Sequence, residues 1–183
     1  AAECSGTPPG SNDGYRPVLK VLRQSLSSAK ELRRRDRSRD AFEEANDLLM
    51  KKGTGAGTTL FVLEISKNSF RSYHAGDSTT LCVGQKGKRK FKSLPHSPAG
   101  YAIEAGQMEE HEALGAHDSH IVLNLLGNSE LHIDISSELP FSTHDTFLLS
   151  SDGLTDNLSF EEIEEIIRKG PLESAGAQLI DLV

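Results

Sequence analysis

The sequence predicts an α+β layered sandwich, an antiparallel sheet core flanked by helices. Three observations predict it. Apolar residues recur at helical spacing before residue 53. From residue 58 the pattern changes to short β-branched or alternating runs joined by tight turns, which means antiparallel pairing. A helical pattern then returns after residue 159. At 183 residues, the apolar content closes one core without splitting, so a single domain over 1–183 is expected.

Residues 1–15 are rich in Gly, Pro, Ser and Asn and read as a loop. Val18, Leu19, Leu22, Leu26 and Ala29 then predict an amphipathic helix over 16–32. The run from Lys30 to Arg39 carries six basic residues and reads as a solvated helix end and connection. A nucleic-acid or phosphopeptide patch is the lesser alternative. Asp40 with Glu43 three residues on resembles a capping box opening a second helix, in which Phe42, Ala45, Leu48 and Leu49 form the buried stripe. Gly53–Gly57 lacks the Lys-Ser/Thr of a phosphate loop and precedes a strand, so it reads as a helix cap and connector.

The meander follows. Thr58–Ile65 and Ser69–Ala75 are strands, and Gly76-Asp77-Ser78 turns the chain into Thr79–Gly84 and then Arg89–Ser93. Residues 95–118 form a long excursion rich in Glu and His. Strands are expected at His120–Leu126 and Glu130–Ser136, and a buried one at Asp145–Ser151. A helix begins near Ser159 with Glu161 and Glu162 in its first turn, and Gly170-Pro171 stops it. A final helix covers 172–182.

Charge narrows the function. Residues 1–57 hold 11 Lys/Arg against 8 Asp/Glu, whereas residues 58–183 hold 9 against 19, so the net −7 belongs to the second part. That disfavours nucleic acid as the main partner. An acidic surface also repels phosphorylated substrates unless a bound cation reverses the local field. Apolar runs of no more than about eight residues predict no spanning helix. The start lacks the pattern of a signal peptide, so a cytoplasmic location is expected. Cys4 and Cys82 are read as reduced thiols.

Asp152 is the strongest single candidate. It follows a continuous apolar strand, precedes Gly153, and has Asp156 four residues on, so one helical turn puts both carboxylates on one side. Two convergent carboxylates repel unless one is protonated or a hard cation lies between them, and Mg²⁺ and Mn²⁺ take such oxygen donors. Asp77, in its tight turn, would complete an oxygen-rich cup if the two loops share one rim of the sheet. Glu109, Glu110, His111 and Glu112, with His117 and Asp118, read as an exposed acidic helix rather than ligands. Lys86, Lys88, Arg89, Lys90 and Lys92 read as edge-strand charges that block sheet-to-sheet pairing, with guidance of phosphosubstrates the lesser reading. His74 reads as packing.

Gly57-Thr58-Thr59-Leu60, Ala75-Gly76-Asp77-Ser78 and the run Leu148-Leu149-Ser150-Ser151-Asp152-Gly153-Leu154-Thr155-Asp156-Asn157-Leu158-Ser159, in this order, resemble the PP2C type of metal-dependent protein phosphatase. Val122–Gly127 is similar to the segment closing that family's flap. The resemblance implies a PP2C-like β-sandwich flanked by helices, with 95–118 flap-like. It implies two or three Mn²⁺ or Mg²⁺ ions, with Asp152 a ligand of the catalytic metals and Asp77, Asp152 and Asp156 forming an additional metal site. The implied activity is removal of phosphate from phosphoserine and phosphothreonine of proteins by metal-activated water. Implied partners are phosphorylated proteins, a kinase or its targets, with the chain a monomer. The family's acidic first strand, its Asp-Gly-x-Gly-Gly loop and its terminal Asp-Asn are not matched, and Glu3 stands only loosely for the loop's Asp. The first and last strands are therefore expected to be lacking, and Ala1 to be a boundary inside a domain. The alternative is a non-catalytic PP2C-like regulatory or binding module. A haloacid-dehalogenase mechanism is excluded, because Ser150 stands where its nucleophilic Asp is required.

Overall fold

The computed structural model describes residues 2–3, 20, 34–53, 55–113 and 121–183. Two sheets lie between helices. The larger has strands β1 (Ala2–Glu3), β2 (Thr59–Ile65), β3 (Ser69–Ala75) and β6 (Asp134–Ile135) in that order, with β7 (Leu139–Pro140) also on β3. The smaller has β5 (Arg89–Lys92), β4 (Thr79–Val83) and β8 (Thr146–Ser150), in that order. Every pairing is antiparallel. The helices are α1 (Arg34–Lys52), α2 (Pro98–Glu104), α3 (Glu110–Ala113), α4 (Asp152–Thr155), α5 (Phe160–Ile167) and α6 (Leu172–Asp181). Among the described residues no helix is long and apolar enough to cross a membrane.

Strand alternation sorts the side chains into three apolar layers. Leu60 on β2 and Tyr73 and Ala75 on β3 face α1, where they bury Ala41, Phe42, Ala45 and Leu49. Residues of the opposite parity face the other sheet: Phe70 meets Phe147 edge-on at 4.9 Å and Phe91 at 5.7 Å. On the far side, Leu81 and Val83 of β4 pack against Leu154, Leu158, Ile163 and Ile167, and Leu179 of α6. The expected sandwich is present, with helices on both outer faces.

Several expectations need correction. The expected loop over 1–15 is described only at Ala2–Glu3, and there it is a strand on β2. The expected helix over 16–32, Cys4, His117 and Asp118 lie outside the described residues, Lys20 excepted, which is helical. Asp40 does not open a helix, because α1 already runs from Arg34. The Arg-rich run consists of good helix formers, and Arg39 pairs with Glu43 at 2.8 Å, a helical neighbour four residues on. Of the strands expected over 120–126 and 130–136, only Asp134–Ile135 forms, besides one bridge from Leu126 to Thr58. The Asn124 amide takes the place of a ladder there, accepting the His132 N–H at 3.0 Å and donating to its carbonyl at 2.6 Å. Strand β8 is only half-buried, with Leu149 36% exposed, because it lies at the edge of its sheet. Cys82 is a buried free thiol whose pKa burial pushes up to about 11.

Candidate functional site

The two loops expected to carry chemistry leave the small sheet at one end. Thr79 of β4 stands opposite Ser150 of β8. Two residues outward from each lie Asp77 and Asp152, so antiparallel register alone brings both to one rim. Glu3 sits opposite Thr59, where β2 begins beside the same turn.

The turn carrying Asp77 is held from several sides. Gly76 has φ +115°, and a Cβ there would lie 2.4 Å from Thr59 Cγ2, so only glycine fits. The Thr59 and Ser78 hydroxyls meet at 3.1 Å. The His96 N–H donates to the Gly76 carbonyl at 3.0 Å, and the Gly76 N–H donates to His96 Nδ1 at 3.1 Å. Asp77 itself is 7% exposed.

The second loop is a single turn of helix. Gly153 N–H donates to Asp152 Oδ1 at 2.8 Å, and Asp156 N–H donates to the Asp152 carbonyl at 2.7 Å. Asp152 and Asp156 are half-buried. Ser159 then caps α5 in a reciprocal box with Glu162, which fixes where the loop ends.

Asp77, Asp152 and Asp156 line one pocket of about 90 Å³, together with Thr155 and the carboxylates of Glu110 and Glu161. Leu94, Pro95, Ile103 and Phe160 supply apolar wall, and Lys92, Ser97 and Ser159 add polar groups to it. The acidic donors are all hard oxygens and one of the three aspartates is buried, a donor set that fits Mg²⁺ or Mn²⁺.

The basic hairpin beside the pocket is largely paired internally. Arg89 Nη1 reaches both Glu110 oxygens at 2.9 Å and its Nε meets Glu164, while Lys92 meets Glu110 and lies over the Phe160 ring at 4.4 Å. Lys90 binds Asp145. Burial opposes ionisation of Glu110, but its bonds to Lys92 and Arg89 outweigh it and hold its pKa below the usual value. Lys86 and Lys88 are exposed. Strand β5 is indeed a sheet edge, in line with the edge-charge reading. Glu109, His111 and Glu112 are exposed on and beside α3, as expected, whereas Glu110 of the same run is half-buried and lines the pocket, because Arg89 and Lys92 draw its carboxylate inward.

Sequence reasoning missed a second cluster. One ligand-type atom from each of His74, His96 and Asp134 lies within 4.8 Å of the others. The His74 and His96 rings stack at 4.6 Å, and His96 Nε2 is 3.5 Å from Asp134 Oδ2. Burial, and then the neighbouring His74, push the His96 pKa down to about 4; burial also lowers that of His74. No local spacing announces the cluster, because its members come from β3, the β5–α2 loop and β6.

No family model matches the chain. In sequence it is similar to the serine/threonine phosphatase stp of Listeria welshimeri, 30% identical over 115 residues, covering 62% of this chain and 45% of that protein. It is 32% identical over 114 residues to the protein phosphatase PhpP of Streptococcus pneumoniae, covering 62% and 46%. The chain thus spans about half the length of the curated relatives it matches. In structure it resembles the PPM Ser-Thr phosphatase MsPP of Mycobacterium smegmatis, with TM-score 0.81 and 21% identity, covering 100% of this chain and 83% of that one. The serine/threonine phosphatase Stp1 of Staphylococcus aureus superposes with TM-score 0.75 at 24% identity, covering 89% and 69%. The catalytic domain of PstP, solved with two manganese ions, superposes with TM-score 0.75 at 17% identity, covering 100% and 88%.

Proposed function

We propose that this chain, which has the fold of PP2C-type protein phosphatases and is similar in sequence to bacterial ones, is the greater part of a metal-dependent phosphatase domain acting on phosphoserine and phosphothreonine of proteins. The observation that carries the reading is the convergence of Asp77, Asp152 and Asp156 on one pocket from two loops at one rim. In this reading residues 1–183 form one partial domain, and α2 and α3 form a flap over that pocket.

Asp77, Asp152 and Asp156 would hold Mn²⁺ or Mg²⁺. Three carboxylates at one small site repel each other, and divalent cations relieve that repulsion while reversing a field that would otherwise turn phosphate away. When bound, such ions lower the pKa of a water and neutralise phosphate oxygens. The chain's own residues orient the donors. Gly153 N–H fixes one oxygen of Asp152, and the Asp156 amide ties the loop into a turn. The apolar walls from Leu94, Ile103 and Phe160 restrict water around the reacting phosphate. Glu110 is engaged by Arg89 and Lys92, which leaves the three aspartates to carry the metal charge.

The test is Asp152→Asn in the intact protein. Mn²⁺ binding by calorimetry is expected to fall by an order of magnitude or more, and phosphate release from a phosphothreonine peptide to be lost. Unchanged Mn²⁺ binding would remove Asp152 from the site. Normal Mn²⁺ binding in the wild type without release of phosphate from any phosphopeptide would favour a binding module over an enzyme.

A further inference from the structure

His96 is 1% exposed and its ring is fixed on one edge by two donors. Gly76 N–H points at Nδ1 from 3.1 Å, and Asn124 Nδ2 lies 2.7 Å from the same atom. The Asn124 amide cannot be turned to offer its oxygen, because Oδ1 already accepts the His132 N–H and Nδ2 donates to the His132 carbonyl. Nδ1 therefore carries a lone pair, and the ring proton sits on Nε2, facing Asp134 Oδ2 at 3.5 Å. His74 Nε2 lies 2.7 Å from the Leu94 carbonyl and must likewise carry a proton. Both Nε2 atoms are donors, so the cluster, although its spacing suits a cation, offers no Nε2 lone pair to one. It is a hydrogen-bonded support.

What it supports is the Asp77 turn. We propose that His96 is a positioning residue for that turn: its Nδ1 takes the Gly76 N–H and so holds the peptide before Gly76, while its backbone N–H binds the Gly76 carbonyl and holds the peptide between Gly76 and Asp77. Glycine reaches φ +115° without strain, so the backbone preference alone does not hold the turn, and the two His96 bonds select this orientation. The same residue shapes the wall opposite. Its neighbours Pro95 and Ser97 line the pocket with Asp77, and its carbonyl accepts the Leu123 N–H at 2.9 Å, tying in the segment after the flap. Asp134 Oδ2 stands 3.5 Å from the outer edge of the ring, too loosely placed for a formed hydrogen bond, and His74 and Tyr101 stack on the ring at 4.6 and 6.2 Å. The consequence for metal affinity rests on the phosphatase reading, whereas the hold on Gly76 does not.

Two measurements on the intact protein test this. In wild-type protein, nitrogen NMR of His96 is expected to show an unprotonated Nδ1 and a protonated Nε2, with slow exchange of the Gly76 amide. A protonated Nδ1, or Gly76 exchange as fast as in an open loop, overturns the proposal. The second is a variant series read by Mn²⁺ calorimetry and thermal melting. His96→Ala is expected to weaken Mn²⁺ binding roughly tenfold or more, the usual effect of removing a group that orients a ligand. His96→Asn, whose Oδ1 can stand where Nδ1 stood, is expected to restore affinity to within about threefold, and His96→Gln is not. Equal Mn²⁺ affinity in all three variants, or losses that merely track the melting temperature, would make His96 a packing residue and overturn the proposal. Should His96→Ala fail to fold, the wild-type tautomer and the Asn and Gln pair still decide. If Asp152→Asn leaves Mn²⁺ binding intact, the phosphatase reading fails, and the tautomer and exchange results continue to decide the role of His96.

Discussion

Replacing Gly76 by alanine tests how tightly the Asp77 turn is constrained. The added methyl would sit 2.4 Å from Thr59 Cγ2, 2.5 Å from Thr59 Cβ and 3.1 Å from its Cα. Thr59 is 3% exposed and lies in a strand paired on both sides, so it cannot withdraw. Two costs add. A non-glycine residue at φ +115° is strained by about 1–3 kcal/mol. Forcing a methyl into a filled space costs about 1–3 kcal/mol more. Gly76→Ala is therefore expected to destabilise the intact protein by about 2–6 kcal/mol in urea denaturation and to weaken Mn²⁺ binding by displacing Asp77. A second substitution separates the two costs. In a Thr59→Gly background the clashing Cβ and Cγ2 are gone and the 3.1 Å approach to Cα stays, so Gly76→Ala should then cost the backbone strain and little more. The double-mutant cycle should show about 1–3 kcal/mol of coupling. A single variant within about 0.5 kcal/mol of wild type, or costs that simply add, would refute the close-contact account.

Two further outcomes are expected. Acid should weaken the fold in a window set by the histidines. Unfolded histidine takes a proton near 6.5, while burial holds His96 at about 4 and His74 below its ordinary value. As pH falls from 6.5 the unfolded chain binds protons that the folded chain refuses, so the histidines' contribution drops until about pH 4 and then levels off, while that of carboxylates such as Glu110, held below its usual pKa, is lost at lower pH. For His96 the drop from 6.5 to about 4 corresponds to on the order of 3 kcal/mol. His96→Asn should flatten its share of the urea-denaturation profile over that range, and an unchanged slope would show that His96 titrates freely. Ser159→Ala removes the side chain that accepts the Glu162 N–H and should cost about 1 kcal/mol in the same assay; no measurable loss would mean water replaces the cap.

The strands of the meander were legible because their signals are local. Thr59–Ile65, Ser69–Ala75 and Thr79–Val83 alternate or run apolar, and the turns between them are short enough to force antiparallel neighbours. The stop at Gly170 and the cap at Ser159 were equally local. Residues 121–133 misled because apolar content suggested strands. There Asn124 bonds both backbone groups of His132 and competes with a ladder, a choice made by one side chain eight residues away. The start of α1 misled for the opposite reason: Asp40 looked like a cap, yet the arginines before it propagate a helix as well as the residues after it.

The sequence by itself determined the helix–meander–helix order and singled out Asp77, Asp152 and Asp156, because turn chemistry, strand alternation and one-turn spacing are properties of short segments. Tertiary structure alone decided that these carboxylates line one pocket, since that depends on Thr79 standing opposite Ser150 across some seventy residues of chain. It also decided that Arg89 and Lys92 are held by Glu110, and that His96 reaches back to Gly76. Pairings of that kind are set by sheet register and by which buried donors lack other partners. Neither leaves a trace in the spacing of residues along the chain.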